Sequence, residues 1–328
     1  MKMFVLYWRL LRYRVAVMII LFMLLGAAWH QGQTTIDRSV VLMILALASS
    51  YVGATSVNDI ADKEIDEINH PGDQGRPLVT GAARSADLWM IFGASSVLAV
   101  ALPLAISPAA AGIMGLSLVI GVLYSLPPLK LSYRTFLAPL TLAVAYVGIP
   151  YWAGVVVGGG RLQIFDVPLM AALYLLFAGR IVLKDFRDRE GDAAYGKPTF
   201  LLKYGKRATC LVSAGAICAG DALLVAALAE RWWLWVAALL QPYVASVMLM
   251  LYRLYLVNGR RDEQLAIGVG ARMGNGLLAT LLGILILANH GADLATQLTF
   301  SLALMAFFML NFIDFLLHPD QAVIGYKG

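Results

Sequence analysis

Charged residues are scarce in this chain. Only 14% of its 328 residues are Asp, Glu, Lys or Arg, whereas an average soluble protein carries about 25%. Hydrophobic residues make up 60% of the chain, so it has too little polar surface to cover the apolar mass of a soluble globule. The composition also excludes a disordered chain, a coiled coil and a collagen-like fibre. The class that remains is a polytopic membrane protein.

Cysteine and histidine are also rare, with two and four residues respectively. Cys210 and Cys218 share one apolar stretch, and their spacing matches neither a disulfide framework nor a thiolate metal site. The histidines are scattered, and none is predicted to bind a metal. The net charge of +5 is better explained by membrane topology than by nucleic acid, and the sequence implies neither a nucleic-acid nor a protein partner.

Ten apolar stretches approach the roughly 20 residues that a transmembrane helix needs. The predicted fold is an all-α polytopic membrane bundle of nine or ten transmembrane helices, with two aspartate-rich segments on the cytoplasmic side. We expect one membrane domain over residues 1–328, in which the tenth stretch is a possible extra span. The stretches are 15–29, 39–57, 87–106, 109–126, 136–157, 167–183, 208–229, 232–256, 268–288 and 294–317.

Basic residues set the predicted orientation of these spans. With the N-terminus inside, 20 Lys and Arg residues fall in inner segments, against Arg38, Arg161 and Arg231 in outer ones. Cytoplasmic segments of membrane proteins carry such an excess. The pattern predicts an integral multi-pass protein of a bacterial plasma membrane with a cytoplasmic N-terminus and an uncleaved first helix.

Two predicted inner segments hold six and four of the 20 acidic residues. In the first segment, Asp59, Asp62 and Asp66 are spaced i, i+3, i+7, and the same spacing recurs 126 residues later. The second triplet is Asp185, Asp188 and Asp192. On a helix, this spacing places three carboxylates on one face. We interpret the pair as an internal repeat of a span followed by an acidic helical turn.

Carboxylates on one helix face repel one another and need a counter-charge. Mg²⁺ takes oxygen ligands and is commonly shared between carboxylates and substrate phosphates. The two triplets therefore predict facing acidic turns that hold two or more Mg²⁺ ions with a diphosphate between them. Solvated charge runs are common, but two clusters in identical register argue against that alternative. Basic residues beside the triplets are expected to contact phosphate oxygens: Lys63, Arg76, Lys184, Arg189 and Lys197.

Three motifs then occur in order. Residues 58–66 read N-D-I-A-D-K-E-I-D, residues 124–130 read Y-S-L-P-P-L-K, and residues 184–192 read K-D-F-R-D-R-E-G-D. Together they resemble the signatures of the UbiA superfamily of intramembrane prenyltransferases. The resemblance implies an all-helical membrane fold that transfers an isoprenyl chain from an allylic diphosphate to a hydrophobic or aromatic acceptor, with Mg²⁺ as cofactor.

Carried over by position, the resemblance also implies roles for individual residues. One metal site would comprise Asn58, Asp59, Asp62 and Asp66. The other metal site would comprise Asp185, Asp188 and Asp192. Catalytic roles would fall to Asp59, Asp62, Asp185 and Asp188. Diphosphate contacts would come from Asn58, Arg76, Lys130, Lys184 and Lys197. The candidates for the acceptor or its pocket are Tyr124 and Arg180.

Some features depart from the family pattern or leave alternatives open. Members usually have nine spans, whereas ten are predicted here. Leu131-Ser132 stands where a further lysine is common, and the missing cation weakens the case for a carboxylated aromatic acceptor. An aromatic or quinone-precursor acceptor is the favoured interpretation. The alternatives are a lipid or sugar-phosphate hydroxyl acceptor, a membrane terpene cyclase and, in a different class, a transporter with repeated acidic motifs. Intramembrane polar residues open to either a functional or a packing role are Asp221, Asn311 and Asp314.

Overall fold

The computed structural model describes residues 2–32, 34–231, 233–257 and 259–318. These residues form helices and connecting turns, with no β-strand among them. Trp232, the first residue of a predicted span, and Lys327, one of the 20 basic residues assigned to inner segments, lie outside the described residues, as does the side chain of Lys2.

Twelve helices follow one another in the described part of the chain. Ten of them, all except α1 and α4, are long and apolar enough to cross a membrane, which confirms the ten predicted spans. The helices are α1 (Lys2–Leu11), α2 (Tyr13–Gln31), α3 (Arg38–Ala61), α4 (Lys63–Asn69), α5 (Ser85–Leu104), α6 (Pro108–Ser125), α7 (Leu137–Val157), α8 (Ile164–Ala194), α9 (Phe200–Glu230), α10 (Leu234–Leu256), α11 (Arg260–Asn289) and α12 (Leu294–Leu317).

Polar caps fix where several spans begin. The first backbone N–H groups of a helix have no partner within the helix, and a side-chain oxygen just before it can accept from one of them. Asp37 accepts from the N–H of Val40 at the start of α3, and Thr199 accepts from Leu202 at the start of α9. The spans are therefore delimited by local sequence as well as by hydropathy.

Three spans depart from regular α-helix, and one of them is α9, which is kinked at Gly205 with φ 79° and ψ 173°. A π-turn at Val144–Gly148 interrupts α7 just before Pro150. Proline lacks an N–H and cannot donate to the carbonyl four residues earlier, so the helix widens there. In α8, a 3₁₀ turn at Val182–Lys184 precedes the acidic segment Asp185–Ala194. This turn changes the direction of side chains between the span and its acidic end.

The tenth span is an integral part of the bundle. Helix α12 packs against α11, where Gly276 and Gly283 leave room for two aromatic rings. A Cβ atom at either glycine would collide with the ring of Phe308 or of Phe300. The extra span therefore packs closely against the neighbouring helix.

Helices α2 and α7 pack backbone against backbone. A Cβ atom on Gly26 would meet the carbonyl of Tyr151, and one on Gly154 would meet the carbonyl of Met23. Both partners are backbone atoms, which cannot rotate away. The small residues therefore set the distance between these two helices.

We predict that Gly154→Ala destabilises the protein by about 1–3 kcal/mol, the usual cost of overpacking a tight interior. The measurement is the midpoint of thermal unfolding in detergent. Gly112→Ala is the matched control, because a Cβ at that position on α6 meets nothing within 4 Å. Equal midpoints for the two variants would contradict the backbone contact.

Candidate active site

The two acidic segments face each other at one end of the bundle, here called the aspartate end. Lys197 Nζ lies 3.3 Å from Asp62 Oδ2 of the first triplet and 3.4 Å from Asp192 Oδ1 of the second. The side-chain oxygen of Asn69 accepts a hydrogen bond from the N–H of Gly191 at 2.6 Å. One ion-paired lysine and one asparagine thus join the end of α4 to the end of α8.

The first triplet lies on a nearly continuous helix. Asp59 is in the last turn of α3, Asp62 is the junction residue and Asp66 is in α4. Asp62 departs from helical geometry, with φ −107° and ψ 15°. Even so, the N–H of Asp62 donates to the carbonyl of Asn58 at 2.9 Å, and the N–H of Asp66 donates to the carbonyl of Asp62 at 2.8 Å. The three carboxylates therefore keep one common face, and all three are buried.

Two arginines neutralise this triplet. Asp59 Oδ1 accepts from Arg12 Nη2 at 2.7 Å and from Arg76 Nη1 at 2.6 Å. Arg76 Nη1 also lies 2.6 Å from Asp66 Oδ2. Arg12 occupies the junction between α1 and α2 with a left-handed backbone, φ 40°. No local feature of the sequence distinguishes Arg12 from Arg9 and Arg14, whose positive charges indicate the orientation of the spans. The contact of Arg12 with Asp59 was therefore not predicted.

The second triplet lies on the acidic end of α8 and has different partners. Asp188 Oδ1 lies 3.2 Å from His70 Nε2 and accepts from Arg187 Nε at 3.0 Å. Asp185 and Asp192 are buried. The sequence analysis had read His70 as one of four scattered histidines. In the structure, it connects the segment after α4 to the second motif.

Burial and charge shift the ionisation of the groups outside the spans. Burial raises the pKa of Asp66 to about 7; nearby Arg76 opposes this shift, and the carboxylates of Asp59 and Asp62 add to it. Burial disfavours the charge on Lys197, but the carboxylates of Asp62 and Asp192 overcome this and raise the pKa of its ammonium above the usual range. Lys197 therefore remains a cation between the two triplets.

The carboxylates suit a hard divalent cation. Asp59 Oδ2 and Asp62 Oδ1 are buried and have no hydrogen-bond partner among the described residues. Within the described residues, no group of three His, Cys, Asp or Glu side chains converges closely enough to hold a metal ion unaided. Carboxylate oxygens of this kind are the ligands that Mg²⁺ prefers, and Mg²⁺ commonly takes further ligands from water and substrate phosphates.

Three further candidate residues lie beside this site. Lys184 Nζ donates to the Tyr124 hydroxyl at 3.3 Å. Lys130 Nζ lies 3.9 Å from the centre of the Tyr133 ring, which Lys197 also approaches, at 5.8 Å. The motif at 124–130 thus supplies cationic and aromatic groups to the edge of the aspartate end.

Arg180 lies elsewhere. Its Nη1 donates to the backbone carbonyls of Gly270 and Ala271 in α11, at 3.2 and 3.3 Å. It borders a narrow, mainly apolar cavity of about 50 Å³ inside the bundle. The resemblance made Arg180 a candidate for the acceptor or its pocket. These contacts direct its guanidinium to α11 and keep it only as a pocket residue.

A row of aromatic rings leads from the first triplet into the bundle. The rings of Tyr51 and Tyr146 lie 6.0 Å apart, those of Tyr146 and Phe177 lie 5.6 Å apart, and those of Phe177 and Phe22 lie 6.3 Å apart. Tyr51 precedes Asp59 on α3. The sequence gives no signal for this row, because aromatic residues inside apolar spans are ordinary core residues.

The intramembrane polar residues have local partners. Asp221 Oδ1 on α9 accepts from Gln241 Nε2 on α10 at 3.0 Å. Asn311 donates to the carbonyl of Phe307 within α12, at 2.8 Å. Asp314 Oδ1 lies 3.0 Å from His318 Nδ1. Each of these polar residues thus has a partner either on a neighbouring helix or one turn away along the chain.

Fold and site together define a polytopic membrane protein with a two-motif carboxylate site at one end of its helix bundle. The model of the UbiA prenyltransferase family matches residues 19–275. The chain therefore belongs to the UbiA prenyltransferase family. The match ends within α11, so α12 lies outside it.

Curated relatives cover several members of this family. The chain is 28% identical over 211 residues to chloroplastic chlorophyll synthase of Oryza sativa subsp. japonica, covering 59% of this chain and 54% of that protein. It is 31% identical over 195 residues to digeranylgeranylglyceryl phosphate synthase of Methanoregula boonei, covering 59% and 66%. The chain spans about half the length of the chlorophyll synthases it matches.

Solved structures share the fold. A UbiA homolog from Archaeoglobus fulgidus bound to GPP and Mg²⁺ superposes with a TM-score of 0.65 at 19% identity, covering 84% of this chain and 99% of that one. A digeranylgeranylglyceryl phosphate synthase structure superposes with a TM-score of 0.64 at 21% identity, covering 87% and 99%. The all-helical membrane fold predicted from the sequence is thereby confirmed.

We predict that Gly191→Ala separates the two acidic segments and weakens the binding of Mg²⁺ about tenfold or more, as loss of a supporting shell usually does. A Cβ at Gly191 would meet the carbonyl of Ile65 at 2.5 Å and the Asn69 side chain at 2.8 Å. The measurement is titration calorimetry in detergent. Gly93→Ala is the control, because a Cβ there meets nothing within 4 Å. Unchanged affinity in Gly191→Ala would show that the segments need no close contact.

Proposed function

We propose that this protein transfers an isoprenyl chain from an allylic diphosphate to an aromatic or quinone-precursor acceptor, in a Mg²⁺-dependent reaction within the membrane. The observation that carries the proposal is the pair of facing, buried carboxylate segments at the mouth of an aromatic-lined interior. Membership of the UbiA prenyltransferase family supports the same chemistry.

The acidic side chains would hold the metal. Asn58, Asp59, Asp62 and Asp66 would form one site, and the second triplet would form the other. Buried oxygens without hydrogen-bond partners on Asp59 and Asp62 support the first assignment. Bound Mg²⁺ would neutralise the charge that builds up on the departing diphosphate.

The cations of this chain would bind and orient the diphosphate. Arg12 and Arg76 already pair with the first triplet, Lys197 lies between the two triplets, and Lys184 and Lys130 lie at the edge. Charge-assisted hydrogen bonds from such groups to phosphate oxygens are strong and directional. Fixed positive groups aimed at a leaving group usually supply a large part of the catalytic effect.

The interior would protect the cationic half of the substrate. When the bond between C1 and the diphosphate oxygen breaks, both electrons leave with the diphosphate, and the allyl group keeps a delocalised positive charge. Ring faces such as those of Tyr146 and Phe177 attract cations. The apolar walls exclude the water that would otherwise capture this charge. An aromatic carbon of the acceptor then bonds to C1, and loss of its proton to solvent restores the ring.

The alternatives differ in the nucleophile or in the class of protein. A lipid or sugar-phosphate hydroxyl would give an ether, and attack by a double bond of the prenyl chain itself would give a cyclic hydrocarbon. A transporter typically places its ion and substrate sites near the bilayer midplane. Here the paired carboxylates lie at one end of the bundle, and Asp221 is hydrogen-bonded to a neighbouring helix. The geometry therefore favours the enzyme.

The chain is a multi-pass membrane protein, and we propose that its N-terminus and aspartate end face the cytoplasm of a bacterium. Arg12, at the end of α1, contacts Asp59, so the N-terminal helix and the site lie at the same end. The excess of Lys and Arg in the segments at this end supports a cytoplasmic orientation. We also propose that residues 1–328 act as one domain.

We predict that Asp62→Asn and Asp188→Asn each lower the rate of diphosphate release about a hundredfold or more, because each removes a carboxylate that would hold the Mg²⁺ needed to stabilise the departing diphosphate. The measurement is the steady-state rate in detergent, with the unfolding midpoint as a check on folding. Asp293→Asn is the matched control, since Asp293 is an exposed helix cap outside the site. Wild-type rates in either site variant would contradict the two-site assignment.

The activity itself is tested by supplying geranyl, farnesyl and geranylgeranyl diphosphates with Mg²⁺ and a panel of aromatic, quinone-precursor and lipid-alcohol acceptors. We expect release of diphosphate that needs both Mg²⁺ and an acceptor, and a product whose mass is the acceptor plus one prenyl group. EDTA should abolish it. Release without any acceptor would favour the cyclase. Absence of release from every donor would contradict the proposal for these chain lengths.

A further inference from the structure

Helix α1 has two contrasting faces. Leu6 and Leu10 are only 2% and 0% exposed, whereas Phe4 and Trp8, one turn apart, are 73% and 60% exposed. Val5 is also exposed, beside them. A short helix that leaves large apolar side chains uncovered in this way is typical of helices that lie in a membrane interface.

The buried face fixes the depth of α1. Leu6 and Leu10 pack in one cluster with Val52 of α3 and with Leu88 and Ile91 of α5. Leu88 and Ile91 lie in the first two turns of α5, within about 10 Å of its start at a rise of about 1.5 Å per residue. Helix α1 therefore lies against the outside of the bundle, level with the helix ends at the aspartate end.

Exposed aromatic residues mark the same level around the bundle. Trp and Tyr concentrate at the boundary between hydrocarbon and headgroups. Trp89 near the start of α5, Tyr204 near the start of α9 and Tyr252 near the end of α10 are all exposed at the aspartate end. Tyr13, directly after the α1–α2 junction, is exposed as well. Trp8 thus belongs to an aromatic belt of the leaflet at this end.

Charge selects the kind of lipid surface. Besides Arg12, which is paired with Asp59, the basic residues of this region are Lys2, Arg9 and Arg14, and the sequence has no Asp or Glu before Asp37. Basic residues beside an apolar helix face attract anionic headgroups. A protein that bound this face would need an apolar centre surrounded by acidic residues. No other feature of the described residues indicates such a partner.

We propose that α1 is an interfacial helix that docks its Phe4–Trp8 face on the anionic headgroup layer of the leaflet at the aspartate end. Docking there holds Arg12 against Asp59, because Arg12 follows the last residue of α1 and its guanidinium reaches Asp59 Oδ1 at 2.7 Å. The lipid surface and the carboxylate site are therefore connected through one short helix. The docking part of this inference is independent of the proposed function.

The docking is tested with an environment-sensitive fluorophore on single cysteines in the full chain. The variants are Phe4→Cys and Trp8→Cys, with Glu67→Cys as the matched water-facing control on α4, all with Cys210→Ala and Cys218→Ser. Each is reconstituted in nanodiscs with and without anionic phospholipid. We expect labels at positions 4 and 8 to be blue-shifted and protected from iodide, and to be quenched by lipids that carry a shallow doxyl group. The label at position 67 should show the reverse.

Two results would overturn the lipid assignment. Iodide quenching at positions 4 and 8 equal to that at position 67 would place α1 in water. Protection from both iodide and the doxyl lipid would place a protein, such as a second copy of this chain, on the same face. Neither readout requires catalytic activity, so the outcome is separate from that of the prenyl-transfer assay.

The coupling to Arg12 is tested by diphosphate release in the same nanodiscs. We expect the wild-type rate to rise several-fold with anionic lipid and Arg9→Gln to lose most of that rise. Arg260→Gln is the control, an exposed arginine of α11 that lies on another helix. Equal wild-type rates in both membranes, with release present, would overturn the coupling while the fluorescence still decides the docking.

Discussion

The concentration of six aspartates in one buried end of the bundle is the constraint on which the structure depends. Carboxylates removed from water repel one another and lose hydration, so they remain charged only with cations at hydrogen-bond distance. Those cations come from the α1–α2 junction, from the segment after α4 and from the segment between α8 and α9: Arg12, Arg76 and Lys197. The need to compensate these negative charges therefore fixes the relative positions of helices that are distant in sequence.

The same constraint makes the two halves of the repeat unequal. Their aspartates share one register, but the first triplet is held by two arginines, and Asp188 of the second is held by His70 and Arg187. Lys197 bridges the triplets through Asp62 and Asp192. An internal repeat in sequence has thus produced two acidic faces with different electrostatic surroundings, and the ammonium group of Lys197 contacts both.

The sequence predicted those features that depend on local order. Span length and hydropathy located ten helices, and aspartate spacing identified the acidic faces, because both are periodic along one segment. Arg12 and Asp59 lie 47 residues apart, and no local pattern marks such a pair. Arg180 lies five residues before Asp185, and its position in the sequence left open whether it would contact the acids or line a pocket. The 3₁₀ turn at Val182–Lys184 lies between them, and the guanidinium is directed to α11 instead.

Binding of substrate to such a site requires an exchange of partners. If Arg76 turns to a phosphate oxygen, Asp59 and Asp66 lose a shared partner, and a buried carboxylate left without its cation costs about 3–5 kcal/mol. A divalent ion that arrives with the diphosphate restores the balance, since it offers positive charge to the same carboxylates. On the proposed function, metal and diphosphate should therefore strengthen each other's binding by the same factor. The arginine–aspartate pairs would then hold the carboxylates in place without substrate, and the diphosphate and the divalent ion would have to arrive together to replace them.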